Sequence, residues 1–82
     1  MNNAAITPST MKYDEVLDNM HREVAACKSV SDALTLEETC RSYLRREAPR
    51  AHKAGCLRSF MVHEREVRKL IVQLREEWPH VV

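Results

Sequence analysis

The chain has 82 residues and a mass of 9.5 kDa. A domain of this size buries only about 60% of its unfolded surface, which argues against a large enclosed active site. Apolar residues make up 44% and charged residues 30%, a balance typical of a chain that folds. One glycine and three prolines are too few for the tight turns of a β-sandwich or barrel. The composition therefore predicts an all-α protein with a single domain.

No apolar run reaches the roughly 18 residues of a membrane span, and the polar start MNNAAITPST lacks the layout of a signal peptide. We therefore expect a cytoplasmic protein that contacts no membrane. The three cysteines, Cys27, Cys40 and Cys56, are odd in number and include no CxxC pair. We expect free thiols in a reducing compartment rather than a disulfide framework.

The net charge of +1 hides an uneven distribution along the chain. Residues 1–40 carry a net charge of −4, residues 41–58 carry a net charge of +5, and residues 59–82 have a net charge of zero. We call the six cations of the middle segment the basic block: Arg41, Arg45, Arg46, Arg50, Lys53 and Arg58. Arginine suits bidentate contacts to phosphate or carboxylate. The alternative is a solvated face that the acidic first half neutralises in three dimensions.

In chain order, residues 1–9 are polar and predict a flexible arm, followed by one helical domain over residues 10–82. Thr10 is a candidate cap for a first helix over about 11–28, whose apolar residues recur at helical spacing: Tyr13, Val16, Leu17, Met20, Val24 and Cys27. The segment SVSDALT predicts a connector. Thr35 and Glu38 match a capping box and predict a second helix from Leu36 to the break at Pro49.

From Arg50 to about Glu77 the pattern predicts one long C-terminal helix of roughly 40 Å, with Gly55 as an alternative point of division. The expected fold is a small three-helix bundle in which this helix outreaches its partners. Its far end would then offer a protein contact surface: Ile71, Leu74 and Trp78. For Trp78 an internal core role is slightly favoured. The helix also fits an a/d seam, which leaves homodimerisation as an alternative to a core stripe: Leu57, Phe60, Glu64, Val67, Ile71, Leu74 and Trp78.

Signals for catalysis are weak. The string His63-Glu64-Arg65-Glu66-Val67 begins like the zinc-protease HExxH motif, but Val67 occupies the second ligand position. The cysteines and histidines lack zinc-finger spacing, and a single glycine cannot form a phosphate-binding loop. A Cys56 and His52 pair would lack a cleft that excludes water. We therefore expect no enzyme activity, no metal and no cofactor.

In its length, its MNNAAITPST start and its SYLRREAPRAHK basic segment, the chain resembles small helical regulators carried by phages and plasmids. These include Hha-type nucleoid modulators and anti-defence proteins, and the resemblance is nearest to phage corepressors of the Lxc (Bof) type. The resemblance implies a protein that binds a DNA-binding repressor and strengthens its hold on operator DNA. No family motif is matched, so no residue roles are carried over.

The sequence thus favours a transcriptional corepressor, with the basic block near DNA phosphates that it contacts weakly or only in the complex. A helix-turn-helix of its own fits poorly, because the helix after Pro49 is long. The alternative function is a phage or plasmid inhibitor that binds a host nucleic-acid-processing or defence protein.

Overall fold

The computed structural model describes residues 8–79 and places three α-helices within them: α1 Pro8–Ala26, α2 Val30–Ala54 and α3 Leu57–Glu77. This part of the chain contains no strand. α3 packs against both α1 and α2, which contact each other less. The all-α class expected from the composition and the three-helix bundle expected from the apolar spacing are confirmed.

The core is built from the apolar stripes of all three helices. The stripe predicted for the first helix is confirmed, since Tyr13, Met20 and Val24 are buried and its other members pack partly against them. α2 contributes five buried residues: Ala33, Leu36, Cys40, Leu44 and Ala51. The α3 stripe is the core face rather than an intermolecular seam, with these residues buried: Phe60, His63, Val67, Leu70, Ile71 and Leu74.

α1 begins earlier than the sequence suggested. Pro8 and Ser9 are helical and belong to no arm, and Thr10 lies inside the helix rather than at its cap. Proline fits the first turn because its missing N–H would have no partner there. The rest of the predicted arm lies outside the described residues. α1 ends at Ala26, two residues before the predicted end.

The predicted connector is mostly helix, because the cap lies at Ser29 rather than at Thr35. Ser29 has an extended backbone, and its Oγ accepts a hydrogen bond from the Asp32 amide at 3.1 Å. In return, Asp32 Oδ2 accepts a hydrogen bond from the Lys28 amide at 3.0 Å. The first bond satisfies one of the amides that a helix start otherwise leaves without partners, and the second ties the residue before the cap to the first turn of α2. Thr35 therefore lies within the second turn of α2, where its carbonyl accepts a hydrogen bond from the Thr39 hydroxyl.

The break between the second and third helices falls at Gly55, not at Pro49. Pro49 lies inside α2, so the helix runs on despite one lost hydrogen bond. Gly55 adopts φ 77°, a left-handed conformation that glycine takes without steric cost. Its amide bonds the His52 carbonyl and the Cys56 amide bonds the Ala51 carbonyl, which is the Schellman arrangement of a helix end.

The prediction of a C-terminal helix longer than its partners is wrong, since α3 has 21 residues and α2 has 25. No end of α3 is left uncovered in the way expected. Ile71 and Leu74 retain only 3% and 1% exposure in the core, so they present no surface to a partner. Trp78 is half-buried and packs against the same core.

Candidate anion-binding groove

The basic block does not form one continuous patch. Five of its members lie on α2, and Arg58 follows the turn on α3. Because each helical residue advances about 100° around the axis, Arg41 and Arg45 project towards α3, where they line a groove with it. Arg50 lies on the other side of α2 and lines a cavity against α1. The six side chains therefore do not form a single phosphate-binding face.

Four members of the block are paired with carboxylates. Arg41 bonds Glu37 at 3.0 Å and Arg45 bonds Glu38 at 3.0 Å, while Arg46 and Arg50 share Glu47 at 3.6 and 3.3 Å. Lys53 and Arg58 make no ion pair with the described side chains. Part of the block's charge is thus neutralised locally, partly by Glu37 and Glu38 from the acidic first half.

Three arginines meet at a groove between α2 and α3. Arg41 and Arg45 on α2 face Arg68 and Glu64 on α3, over an apolar floor formed by Leu44 and Ala48. Its volume is about 270 Å³. Arg68 bonds Glu64 at 2.8 Å and keeps just over half of its side chain exposed. Each of its three guanidinium groups is paired with a carboxylate, Arg41 with Glu37, Arg45 with Glu38 and Arg68 with Glu64. We call this site the basic groove, and an anion can bind there by replacing one or more of these carboxylates.

The distribution of charge along the sequence did not point to Arg68, because residues 59–82 have no net charge. The only local signal was the spacing of Glu64 and Arg68, which marks a shared helix face. That α3 lies antiparallel beside α2, and so brings Arg68 next to Arg41 and Arg45, follows from the bundle and not from the pattern of charges.

One end of the basic groove is fixed by an ion pair between helices. Glu37 of α2 accepts hydrogen bonds from Nε and Nη2 of Arg75 on α3, the shortest at 2.8 Å, as well as from Arg41 Nε. The hydrogen bonds from Arg75, with those from Arg41, lower the pKa of Glu37 below its ordinary value despite the opposing effect of burial. Glu37 therefore orients Arg41 and ties α3 to α2.

A second cluster of polar groups lies inside the bundle around His63, which is only 5% exposed. Its Nε2 lies 2.8 Å from the Tyr43 hydroxyl, and its ring stacks on Tyr13 with centroids 4.5 Å apart. Burial lowers the pKa of His63 and raises the pKa of Tyr43 to about 12. These shifts favour a neutral, hydrogen-bonded core pair.

The thiols and histidines do not assemble a metal centre in the described part of the chain. No group of three or more histidine, cysteine, aspartate or glutamate side chains lies close enough to hold an ion there. Cys40 is fully buried, and burial raises the pKa of its thiol to about 11. The Cys56 Sγ lies 3.7 Å from the Tyr13 hydroxyl beneath a cavity of about 400 Å³ between α1 and α2.

Of the described helices, none is long and apolar enough to cross a membrane.

Comparison of the chain with protein-family models, with curated proteins and with solved structures finds no match.

Proposed function

We propose that this protein is a small non-enzymatic adapter, a transcriptional corepressor that binds a DNA-binding repressor and strengthens its hold on operator DNA. The observation that carries the proposal is the basic groove, in which Arg41, Arg45 and Arg68 converge from two helices. In the complex, this groove contacts DNA phosphates beside the repressor's own site.

The arginines of the groove are available to a phosphate. Arg45 and Arg68 each keep more than half of their side chains exposed. Their present partners are Glu38, whose side chain is 64% exposed, and Glu64, whose side chain is 32% exposed. Ion pairs this accessible to water hold their arginines only weakly. A DNA phosphate presents two anionic oxygens that can accept two hydrogen bonds from one guanidinium, so it can replace these carboxylates at small cost. Arg41 stays oriented by Glu37, which is itself held by Arg75.

The same geometry supports the proposal that the protein acts together with a DNA-binding partner. Three arginines contact about three phosphates, and each contact changes the slope of log affinity against log salt by only about 0.9. Phosphate contacts position a protein on DNA but do not distinguish one base sequence from another. The groove therefore supplies affinity in a complex whose specificity comes from the repressor.

The first experiment measures binding of the purified protein to a fluorescein-labelled duplex of about 30 base pairs by anisotropy, over a series of salt concentrations. We expect weak binding without sequence preference and a slope near −3. Replacing Arg45 and Arg68 together by alanine should reduce the slope by about 2. The matched control replaces Arg46 and Arg50, which lie outside the groove, and should leave the slope nearly unchanged. Tight binding to one sequence by the protein alone, or equal effects of both variants, would refute the proposal.

The second experiment tests the partner. The tagged protein is recovered from its native host with and without nuclease, and any retained DNA-binding protein is purified and titrated onto its operator. We expect the adapter to tighten that complex and the Arg45 and Arg68 double variant to lose the effect. A retained nuclease or other nucleic-acid enzyme, inhibited by the adapter whether or not the groove is intact, would favour the alternative of an inhibitor protein.

A further inference from the structure

The outward face of α3 carries six exposed side chains spaced alternately four and three residues apart. We call this set the α3 outer stripe: Arg58, Val62, Arg65, Lys69, Val72 and Glu76. At about 100° per residue these positions fall on one line, opposite the buried face of the helix. Val62 and Val72 are 57% and 53% exposed, and Met61 beside the stripe is 56% exposed. The bundle leaves this mixed apolar and charged face uncovered.

The stripe is symmetric about the middle of its own helix. α3 runs from Leu57 to Glu77, so its midpoint is residue 67. Arg58 and Glu76 lie equally far from that midpoint on either side, and so do Val62 and Val72. A twofold axis through the midpoint of two antiparallel helices therefore sets Arg58 opposite Glu76 of the second copy, and Val62 level with its Val72. Each contact occurs twice, as an isologous interface requires.

We propose that this protein associates with a second copy of itself through the α3 outer stripe, as an antiparallel twofold dimer. Opposite charges meet at both ends of the interface, and the exposed valines with Met61 supply apolar contact between the ends and the centre. This interface differs from the a/d seam considered from the sequence, whose main residues lie in the core.

The centre of the interface is its weak point. Arg65 and Lys69 also exchange positions across the axis, so a cation faces a cation. Lys69 is paired with Glu66 of its own helix at 3.1 Å, whereas Arg65 makes no ion pair with the described side chains. The geometry therefore predicts an unusual sign: reversing the charge of Arg65 should tighten the dimer, because a glutamate there would face Lys69 of the second copy.

A single pair of helices is a small interface, so we expect a weak dimer that forms at roughly tens to hundreds of micromolar protein. Sedimentation equilibrium of the full chain, from about 10 μM to 1 mM, measures its dissociation constant. Arg58→Glu and Glu76→Arg, each alone, turn two attractions into two repulsions and should weaken the dimer about tenfold. Arg65→Glu should tighten it about threefold.

Two combinations should recover the association. In the double variant R58E/E76R, and in an equal mixture of the two single variants, opposite charges again face each other across the axis. Along one helix the two positions are about 27 Å apart, so recovery can arise only between chains. Arg22→Glu, an exposed charge reversal on α1, is the matched control and should change nothing.

A monomer throughout the concentration range would overturn the proposal. So would a dimer that the single reversals leave intact, or one that the double variant and the mixture fail to restore. All substituted positions are exposed, and circular dichroism verifies that each variant keeps its helices. The R45A/R68A variant should dimerise like the wild type, so failure of this proposal is distinguishable from failure of the proposed DNA contact.

Discussion

Replacing Glu37 by glutamine tests whether the ion pair between α2 and α3 stabilises the bundle. The Glu37 side chain is 12% exposed and accepts hydrogen bonds from both Arg75 and Arg41. Glutamine keeps the size of the side chain and removes its charge. A charge-assisted hydrogen bond contributes about 1.5–3 kcal/mol when well shielded, but Arg75 keeps 56% of its side chain in water. We therefore expect a loss of about 1 kcal/mol.

For a domain of this size, 1 kcal/mol corresponds to a fall in Tm of about 4–8 °C. Thermal unfolding followed by circular dichroism at pH 7 measures it. The matched control is Glu38→Gln, the adjacent carboxylate, whose partner Arg45 is on its own helix and whose side chain is 64% exposed. That variant should melt close to the wild type. Equal changes in the two variants, or no change in Glu37→Gln, would refute a stabilising link between the helices.

The same substitution has a consequence for acid stability. Hydrogen bonds from Arg75 and Arg41 lower the pKa of Glu37 in the folded state, so the carboxyl takes up a proton more readily in the unfolded chain. Its stabilising contribution is present above the ordinary glutamate pKa and is lost as the pH falls through the lower, folded value. The difference in Tm between wild type and Glu37→Gln should therefore shrink as the pH is lowered below about 4.

Substitutions at His63, Gly55 and Trp78, with their controls, test other parts of the bundle. Burial lowers the pKa of His63, so the unfolded chain binds its proton more readily and stability should fall as the pH drops below about 6.5. Urea unfolding at pH 7.5 and 5.5 should show a smaller loss for His63→Phe, and an equal loss would contradict this reasoning. At Gly55 an added Cβ meets no atom within 4 Å, so Gly55→Ala should lose about 1 kcal/mol by backbone strain alone. Gly55→Asn, which tolerates a positive φ, should lose less, and the reverse order would exclude strain as the cause. Trp78→Ala should lose about 2 kcal/mol because its ring packs against the core, whereas exposed Val72→Ala should melt near the wild type. A Trp78→Ala variant with unchanged Tm would place this side chain outside the core.

Local patterns in the sequence were reliable where burial and periodicity agreed. The stripe from Tyr13 to Val24 predicted a helix and its buried face, and both are present. Phe60 and Val67 were expected in the core stripe of the last helix and are buried there. In these segments each apolar side chain repeats at the helical period, so the core face follows from the spacing alone.

Helix boundaries were less reliable, because several local signals competed. Thr35 with Glu38 and Ser29 with Asp32 are both plausible helix starts, and packing of Ala33 in the core favours the earlier one. Pro49 costs α2 a hydrogen bond, yet Ala51 beyond it is buried. Continuing the helix to Gly55 therefore keeps apolar contacts that a break at Pro49 would lose.

The sequence by itself determined the all-α class, the apolar faces of the helices and the concentration of arginine between residues 41 and 58. These properties depend on composition and on spacing within one helix. Tertiary packing decided which charges come together: it set Arg68 beside Arg41 and Arg45, joined Arg75 to Glu37, and left the α3 outer stripe uncovered. The sequence could not show this, because electrostatic contacts between helices depend on their relative rotation and alignment, which only the packing of the whole core defines.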